Sequence, residues 1–290
     1  GGNAAAARCG TGVLMNAAPA VRNAIIPRRA ASGRCGLLVS VRDAAEAREA
    51  LAGGATIVDV KEPAHGPLGA AACDVTAGIA AEVARQTPWT LAAGELRDGV
   101  AAIHEHVRRT IALLDAGAVP PAAVKAGLAG MAVGEWRPLF GAFVAGTPAG
   151  VEPVAVAYAD WERAGSPPPV DVIAAATSAG CGVLLLDTFD KAGGPVVGDA
   201  EAAARVADWI ARARQSGMRA VLAGTITAET LPAAVACGPD LIAVRSAACV
   251  GGRSGTVSGK LVRRLGKLCG LAGSDAVTQP LDPADPGAKP

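Results

Sequence analysis

The chain has 290 residues, about half of them apolar and few aromatic, and a formal net charge of +1. That balance offers no basic field to nucleic acid or to an anionic membrane, and few rings on which bases could stack. No apolar run approaches the roughly 18 residues of a membrane span.

Residues 1–34 hold five arginines and no acid, and they lack a secretory apolar core. They read as a disordered basic extension. From residue 35 a unit recurs: a short apolar strand, a polar or glycine-rich loop, an alanine-rich helix and a glycine turn. The predicted strands are 36–41, 56–61, 89–95, 122–127, 153–159, 182–188, 219–225 and 241–247. The helical patterns "AAEAREALAGGA" and "AEAAARVADWIARARQSG" each end at glycine, a common helix C-terminus. Strands alternating with helices imply a parallel sheet with right-handed crossovers. Eight units over about 235 residues suit an α/β fold of the (β/α)8, or TIM-barrel, class across 35–270, with a doubly wound sheet as the alternative. Residues 271–290, rich in Pro, Asp and Gly, read as a second disordered tail.

The seven cysteines, Cys9, Cys35, Cys73, Cys181, Cys237, Cys249 and Cys269, form no C-x-x-C pair. Their odd number and irregular spacing point to buried thiols in a reducing cytoplasm, not to a disulfide frame or a zinc site. His104 and His106 lie two apart on a predicted helix, a poor spacing for a shared metal, and read as solvated. No metal is expected.

A barrel carries its chemistry at the C-terminal ends of its strands. The second strand ends "VDVK", which places Asp59 and Lys61 on one face. The fourth ends "VKAG" with Lys125, and the sixth ends "LLLDT" with Asp187. All four residues lie on even-numbered strands, which supply one layer of side chains in a barrel. Lys191, in the loop after the sixth strand, is within reach. A lysine attacks carbonyls only as the neutral amine, which burial and a neighbouring ammonium favour; carboxylates can then move protons. The spacing predicts a Schiff base on Lys61, with Asp59 and Asp187 transferring protons, Lys125 depressing the Lys61 pKa and Lys191 acting as an acid. Structural ion pairs bracing the barrel are the competing reading. A second cluster, "AGTIT" after the seventh strand and "RSAACVGGRSGTVSGK" after the eighth, ends at a helix start. Gly224, Thr225, Arg245, Gly251, Gly252 and Arg253 are candidates for holding a phosphate there. Glu95 and His65 are weaker candidates at the mouth.

The ordered set "LLVSV", "IVDVKEP", "PLGA", "VKAGL", "AYAD", "LLLDTFDK", "LAGTI" and "VRSAACVGGR" resembles the (5-formylfuran-3-yl)methyl phosphate synthase family over roughly 37 to 269. The resemblance implies condensation of two glyceraldehyde 3-phosphate molecules to a phosphorylated furan aldehyde, with loss of phosphate and water. It places the product in methanofuran or methylofuran synthesis and calls for no cofactor. The family's active residues fall on Asp59, Lys61, Lys125, Asp187 and Lys191. The loops "EPAHGP", "ELRDGV" and "KAGGPVV" depart from the family pattern. The expected partner is a small phosphorylated aldehyde, with no nucleic acid and no membrane; a homo-oligomer is compatible with the sequence. Two other readings stay open: another Schiff-base aldolase of phosphosugars, and a non-catalytic barrel that binds a phosphorylated metabolite.

Overall fold

The computed structural model describes residues 26–271, apart from 84, 85, 117, 133 and 135. Eight parallel strands close into a barrel in chain order. They are β1 (Gly36–Val41), β2 (Ile57–Val60), β3 (Trp89–Glu95), β4 (Ala123–Gly127), β5 (Glu152–Tyr158), β6 (Val183–Asp187), β7 (Arg219–Leu222) and β8 (Leu241–Val244). Closure is made by β8 on β1, where Leu241 lies opposite Gly36. Helices α1 (Ala44–Ala52), α2 (Cys73–Val83), α3 (Val100–Ala112) and α4 (Trp136–Gly146) follow the first four strands. After β5 comes a single turn, α5 (Trp161–Ala164), and then α6 (Pro169–Ser178). Helices α7 (Ala200–Gln215), α8 (Leu231–Ala236) and α9 (Gly259–Leu268) complete the outer layer.

The predicted strands and the observed ones agree closely, because strands buried on both faces carry nearly continuous apolar runs. The two faces still separate by parity. Leu37, Val39 and Val41 face the helical layer with Ala47 and Ala50 of α1, whereas Leu38 joins the barrel interior. Each fully buried aliphatic side chain contributes about 1.5–3 kcal/mol. Helix α7 starts where Asp199 accepts the Ala202 N–H at 2.7 Å, and it buries Val206, Ile210 and Ala213 against the sheet.

An element not foreseen lies between β8 and α9. A small antiparallel hairpin pairs β9 (Cys249–Val250) with β10 (Thr256–Val257). It turns at Gly251, whose φ of 87° favours glycine.

Residues 26–34, read from sequence as part of the extension, lie against the N-terminal end of the barrel. Ile26 is 4 % exposed and shares a small interior cavity with Leu38, Val154, Leu185 and Val221. The Arg29 N–H donates to Asp240 Oδ1 at 2.8 Å, and its guanidinium donates to the Val235 carbonyl at 2.6 Å. An open barrel floor would leave the apolar strand ends wet, and Ile26 covers them. Ile26→Ala is expected to lower the melting temperature by roughly 4–20 °C, read by differential scanning calorimetry. The remainder of the predicted extension, 1–25, and the tail from 272 lie outside the described residues. Among the described residues no helix is long and apolar enough to cross a membrane.

Candidate active site

At the carboxyl ends of the strands, one cavity is lined by Asp59, Lys61, Lys125, Asp187 and Lys191 on one side. Gly224, Thr225, Ser246 and Arg253 line it on the other. Asp59 on β2 is fully buried. Its neighbours in register are Ser40 on β1 and Thr90 on β3. Both donate to it, Ser40 Oγ at 2.9 Å and Thr90 Oγ1 at 2.7 Å, while Lys125 Nζ lies 2.6 Å from Oδ1. The carboxylate expected to serve Lys61 is therefore already engaged. Lys125, expected to stand alone across the mouth, is ion-paired.

Lys61 follows the last residue of β2 and is 8 % exposed. Its ammonium donates only to the Pro67 carbonyl, at 3.3 Å, among the hydrogen bonds of the site. Burial lowers its pKa from 10.5 to about 8; the charges of Asp187 and Asp59 oppose this, and those of Lys191 and Lys125 add to it. Asp187 accepts Lys191 Nζ at 2.6 Å and the Thr188 N–H at 2.8 Å. Burial pushes the Asp187 carboxyl upward, but the Lys191 and Lys61 ammoniums and its hydrogen bonds outweigh this and leave it below the usual range. Lys191 also donates to the Thr188 carbonyl.

A pKa near 8 leaves roughly a tenth of Lys61 neutral at pH 7, about 300-fold more than an unperturbed lysine. Imine formation with a simple aldehyde, followed by mass spectrometry after reduction, is expected to rise with pH up to about 8 and then level. The stability linkage has the opposite sign to that of a salt-bridged lysine. The folded pKa lies below the unfolded one, so burying the charged amine destabilises the fold below pH 8, by about 3 kcal/mol. That cost fades as pH rises from about 8 to 10.5, because the folded protein sheds its proton first.

The opposite wall is a tight turn after β7. Thr225 has φ 51°, the one positive φ outside glycine among the described residues, and its Oγ1 is buried without a partner. Such strain costs about 1–3 kcal/mol and collects at functional sites. Gly224 beside it has φ 106°, and a Cβ there would sit 2.8 Å from the Val196 Cβ. Arg253 reaches the cavity from the hairpin, with one nitrogen 3.3 Å from the Gly66 carbonyl.

Three of the predicted phosphate contacts are placed differently. Arg245 borders the cavity, but its guanidinium is occupied by protein. It donates to both oxygens of Glu46 at 2.8 and 3.1 Å, and to the carbonyls of Ser40, Arg253 and Gly255 at 3.0, 3.0 and 3.1 Å. Gly251 and Gly252 do not line the cavity; they shape the exposed hairpin turn that carries Arg253. Ser246, Ser40 and Thr90 were not singled out in the sequence. The last two sit at inward parity, the signal that would have found them.

The weaker candidates resolve as structure. Glu95 is buried at the end of β3, accepting from Tyr158 Oη at 2.6 Å and the Ala129 N–H at 2.9 Å. Gly127 makes room for them, since a Cβ there would lie 2.1 Å from Glu95 Oε2. His65 pairs with the Ala70 carbonyl in the loop after β2 and does not line the cavity. The histidines read as solvated are both partnered: His104 stacks on Phe143, and His106 meets the Cys73 thiol at 3.5 Å. Five of the six described cysteines are buried. Among the described residues no three His, Cys, Asp or Glu side chains converge as a metal site.

A closed (β/α)8 barrel that gathers a buried lysine, two carboxylates and a strained hydroxyl-bearing turn at the carboxyl ends of its strands holds them where TIM-barrel enzymes carry their active sites. Within that class the comparison is specific. Residues 37–266 match the model of the 4-HFC-P synthase family, and the chain belongs to it. A (5-formylfuran-3-yl)methyl phosphate synthase of Methanocaldococcus jannaschii is 34% identical over 242 residues, covering 80% of this chain and 99% of the relative. That of Archaeoglobus fulgidus is 32% identical over 242 residues, covering 79% and 97%. Among solved structures, 3-hexulose-6-phosphate synthase from Salmonella typhimurium superposes with a TM-score of 0.53 at 14% identity, covering 81% of this chain and 98% of that one. Tryptophan synthase from Mycobacterium tuberculosis gives 0.54 at 16% identity, covering 83% and 95%. At such identities these two share the fold.

Proposed function

We propose that the mouth condenses two molecules of glyceraldehyde 3-phosphate into (5-formylfuran-3-yl)methyl phosphate through an imine on Lys61. Lys61 carries this reading: it is buried at a strand end, and burial lowers its pKa to about 8, so that part of it is the neutral amine near neutral pH. Its neutral amine attacks one carbonyl, water leaves, and the imine acidifies the adjacent C–H. Loss of that proton gives an enamine, which adds to the aldehyde of the second triose. Elimination and ring closure then release one inorganic phosphate and two waters. The imine is itself the electron sink, so the chemistry calls for no cofactor.

The pairing in the structure favours a division of labour. Asp187, next to Lys61 and held by Lys191, suits proton transfer at the reacting carbons; Lys191 suits delivery of a proton to the departing oxygen. The Lys125–Asp59 pair is better placed to fix the field around Lys61 than to shuttle protons, because Asp59 is held by three donors. Arg253, Ser246 and the free Thr225 hydroxyl fit a phosphate, with Gly224 letting the backbone approach. The product would serve methanofuran or methylofuran synthesis in the cytoplasm.

Incubation with glyceraldehyde 3-phosphate is expected to generate ultraviolet absorbance from a conjugated furan aldehyde and one inorganic phosphate per furan. A sugar phosphate without furan absorbance would instead identify an aldolase. Neither product nor adduct would identify a binding protein.

A further inference from the structure

The hairpin that carries Arg253 is held from behind by charge, and Glu46 on α1 stands at the centre. Its carboxylate is fully buried and accepts from two arginines. Arg42 donates through Nε and a terminal nitrogen to Oε1 at 3.2 and 2.9 Å, and through its backbone N–H to Oε2 at 2.8 Å. Arg245 donates to the two oxygens at 3.1 and 2.8 Å. That saturates the acceptor sites of a carboxylate.

The far donors of the same two arginines end on three successive carbonyls of the hairpin turn. Arg245 holds Arg253 O at 3.0 Å and Gly255 O at 3.1 Å. Arg42 holds Ser254 O at 3.3 Å and Gly255 O at 3.0 Å. Nothing in the barrel wall requires this, since β8 ends before Arg245 and the hairpin is a separate two-stranded sheet. Two guanidinium groups side by side repel unless an anion lies between them. One carboxylate binding both fixes their orientation and hence the turn.

We infer that Glu46 is a positioning residue for substrate phosphate, acting through the Arg42 and Arg245 guanidinium groups on the hairpin that aims Arg253 into the cavity. The inference rests on the phosphate role given above to Arg253. Glu46 touches no substrate, so its loss is expected in binding of the phosphate and not in the bond-making steps. A glutamine there has a single acceptor oxygen and turns an N–H toward the arginine donors, which releases the turn.

The test measures KM and kcat for glyceraldehyde 3-phosphate in Glu46→Gln, Arg253→Ala and the double variant. Reductive trapping of unphosphorylated glyceraldehyde is measured beside them. Glu46→Gln is expected to raise KM by about tenfold, the effect of one lost charge-assisted contact, with kcat within about twofold. Trapping of glyceraldehyde stays at the wild-type rate, and the double variant has the KM of Arg253→Ala alone. Should Glu46→Gln fail to fold, Arg42→Met, on the half-exposed arm of the clamp, is expected to give the same split with a smaller rise. A raised KM in Arg253→Ala with wild-type KM in the folded clamp variant overturns the inference alone, as do effects that multiply in the double variant. A wild-type KM in Arg253→Ala overturns the phosphate reading and this inference with it.

Discussion

Lys61→Ala is expected to abolish furan formation, with turnover lower by about ten-thousandfold or more, the scale of removing a covalent nucleophile. The other two lysines that line the cavity are already paired with carboxylates. Lys125 is ion-paired with Asp59 at 2.6 Å, and Lys191 with Asp187 at 2.6 Å, so neither is free to approach a carbonyl. The variant is also expected to be more stable than wild type at pH 7, because it no longer buries an ammonium whose pKa the fold depresses to about 8. Lost activity with gained stability separates a chemical role from a bracing one. A brace would lose both. Paired kinetics and thermal melts at pH 7 read the two effects in one preparation.

Asp59→Asn is expected to produce the largest loss of stability in the site. It leaves the Lys125 ammonium, 5 % exposed, without its counter-charge, and turns an amide toward Ser40 and Thr90. Breaking one side of a buried pair costs about 3–5 kcal/mol. For a domain of this size that is roughly 6–20 °C in melting temperature. The second variant, Asp59→Asn with Lys125→Met, is expected to recover most of the stability and little of the turnover, since replacing both partners with neutral groups removes the uncompensated charge. A calorimetric cycle over the three variants reads the coupling. No recovery in the double variant would mean that Lys125 does not owe its burial to Asp59.

Much of the barrel is legible in the chain because parallel strands buried on both faces are apolar along their length. "GVLLLDT" could hardly be anything else between two glycine-bounded helices. The layer of charged residues on even strands is legible for a related reason: Asp59, Lys61, Lys125 and Asp187 interrupt apolar runs where a polar group needs a partner or a task. Which charge meets which is not legible. Asp59 and Lys61 share a face two residues apart, yet Asp59 is taken by Lys125 from β4, and Lys61 lies nearest the influence of Asp187 from β6. Parity gives the face of a strand, while barrel stagger decides the height.

The glycine-rich segment after β8 shows the same limit. Arg245 and Arg253 stand in one loop with equal claims on an anion. Burial of Glu46 on α1 turns Arg245 inward and leaves Arg253 at the cavity. In the sequence, Asp43 and Glu46 have the spacing of a helix N-terminal capping pair, and Asp43 does cap α1 through the Glu46 N–H at 2.8 Å. That local reading accounts for the glutamate without hinting that it also grips a loop two hundred residues away. Ile26 was hidden by its surroundings: a segment rich in arginine looks solvated even when one isoleucine closes the barrel floor.

The central claim is that Lys61 forms the bond to substrate. Borohydride reduction during turnover with glyceraldehyde 3-phosphate, followed by peptide mass spectrometry, tests it directly. The reduced triose adduct is predicted on Lys61, absent from Lys125 and Lys191, and lost without substrate. An adduct on Lys125 with Lys61 unmodified would contradict the assignment.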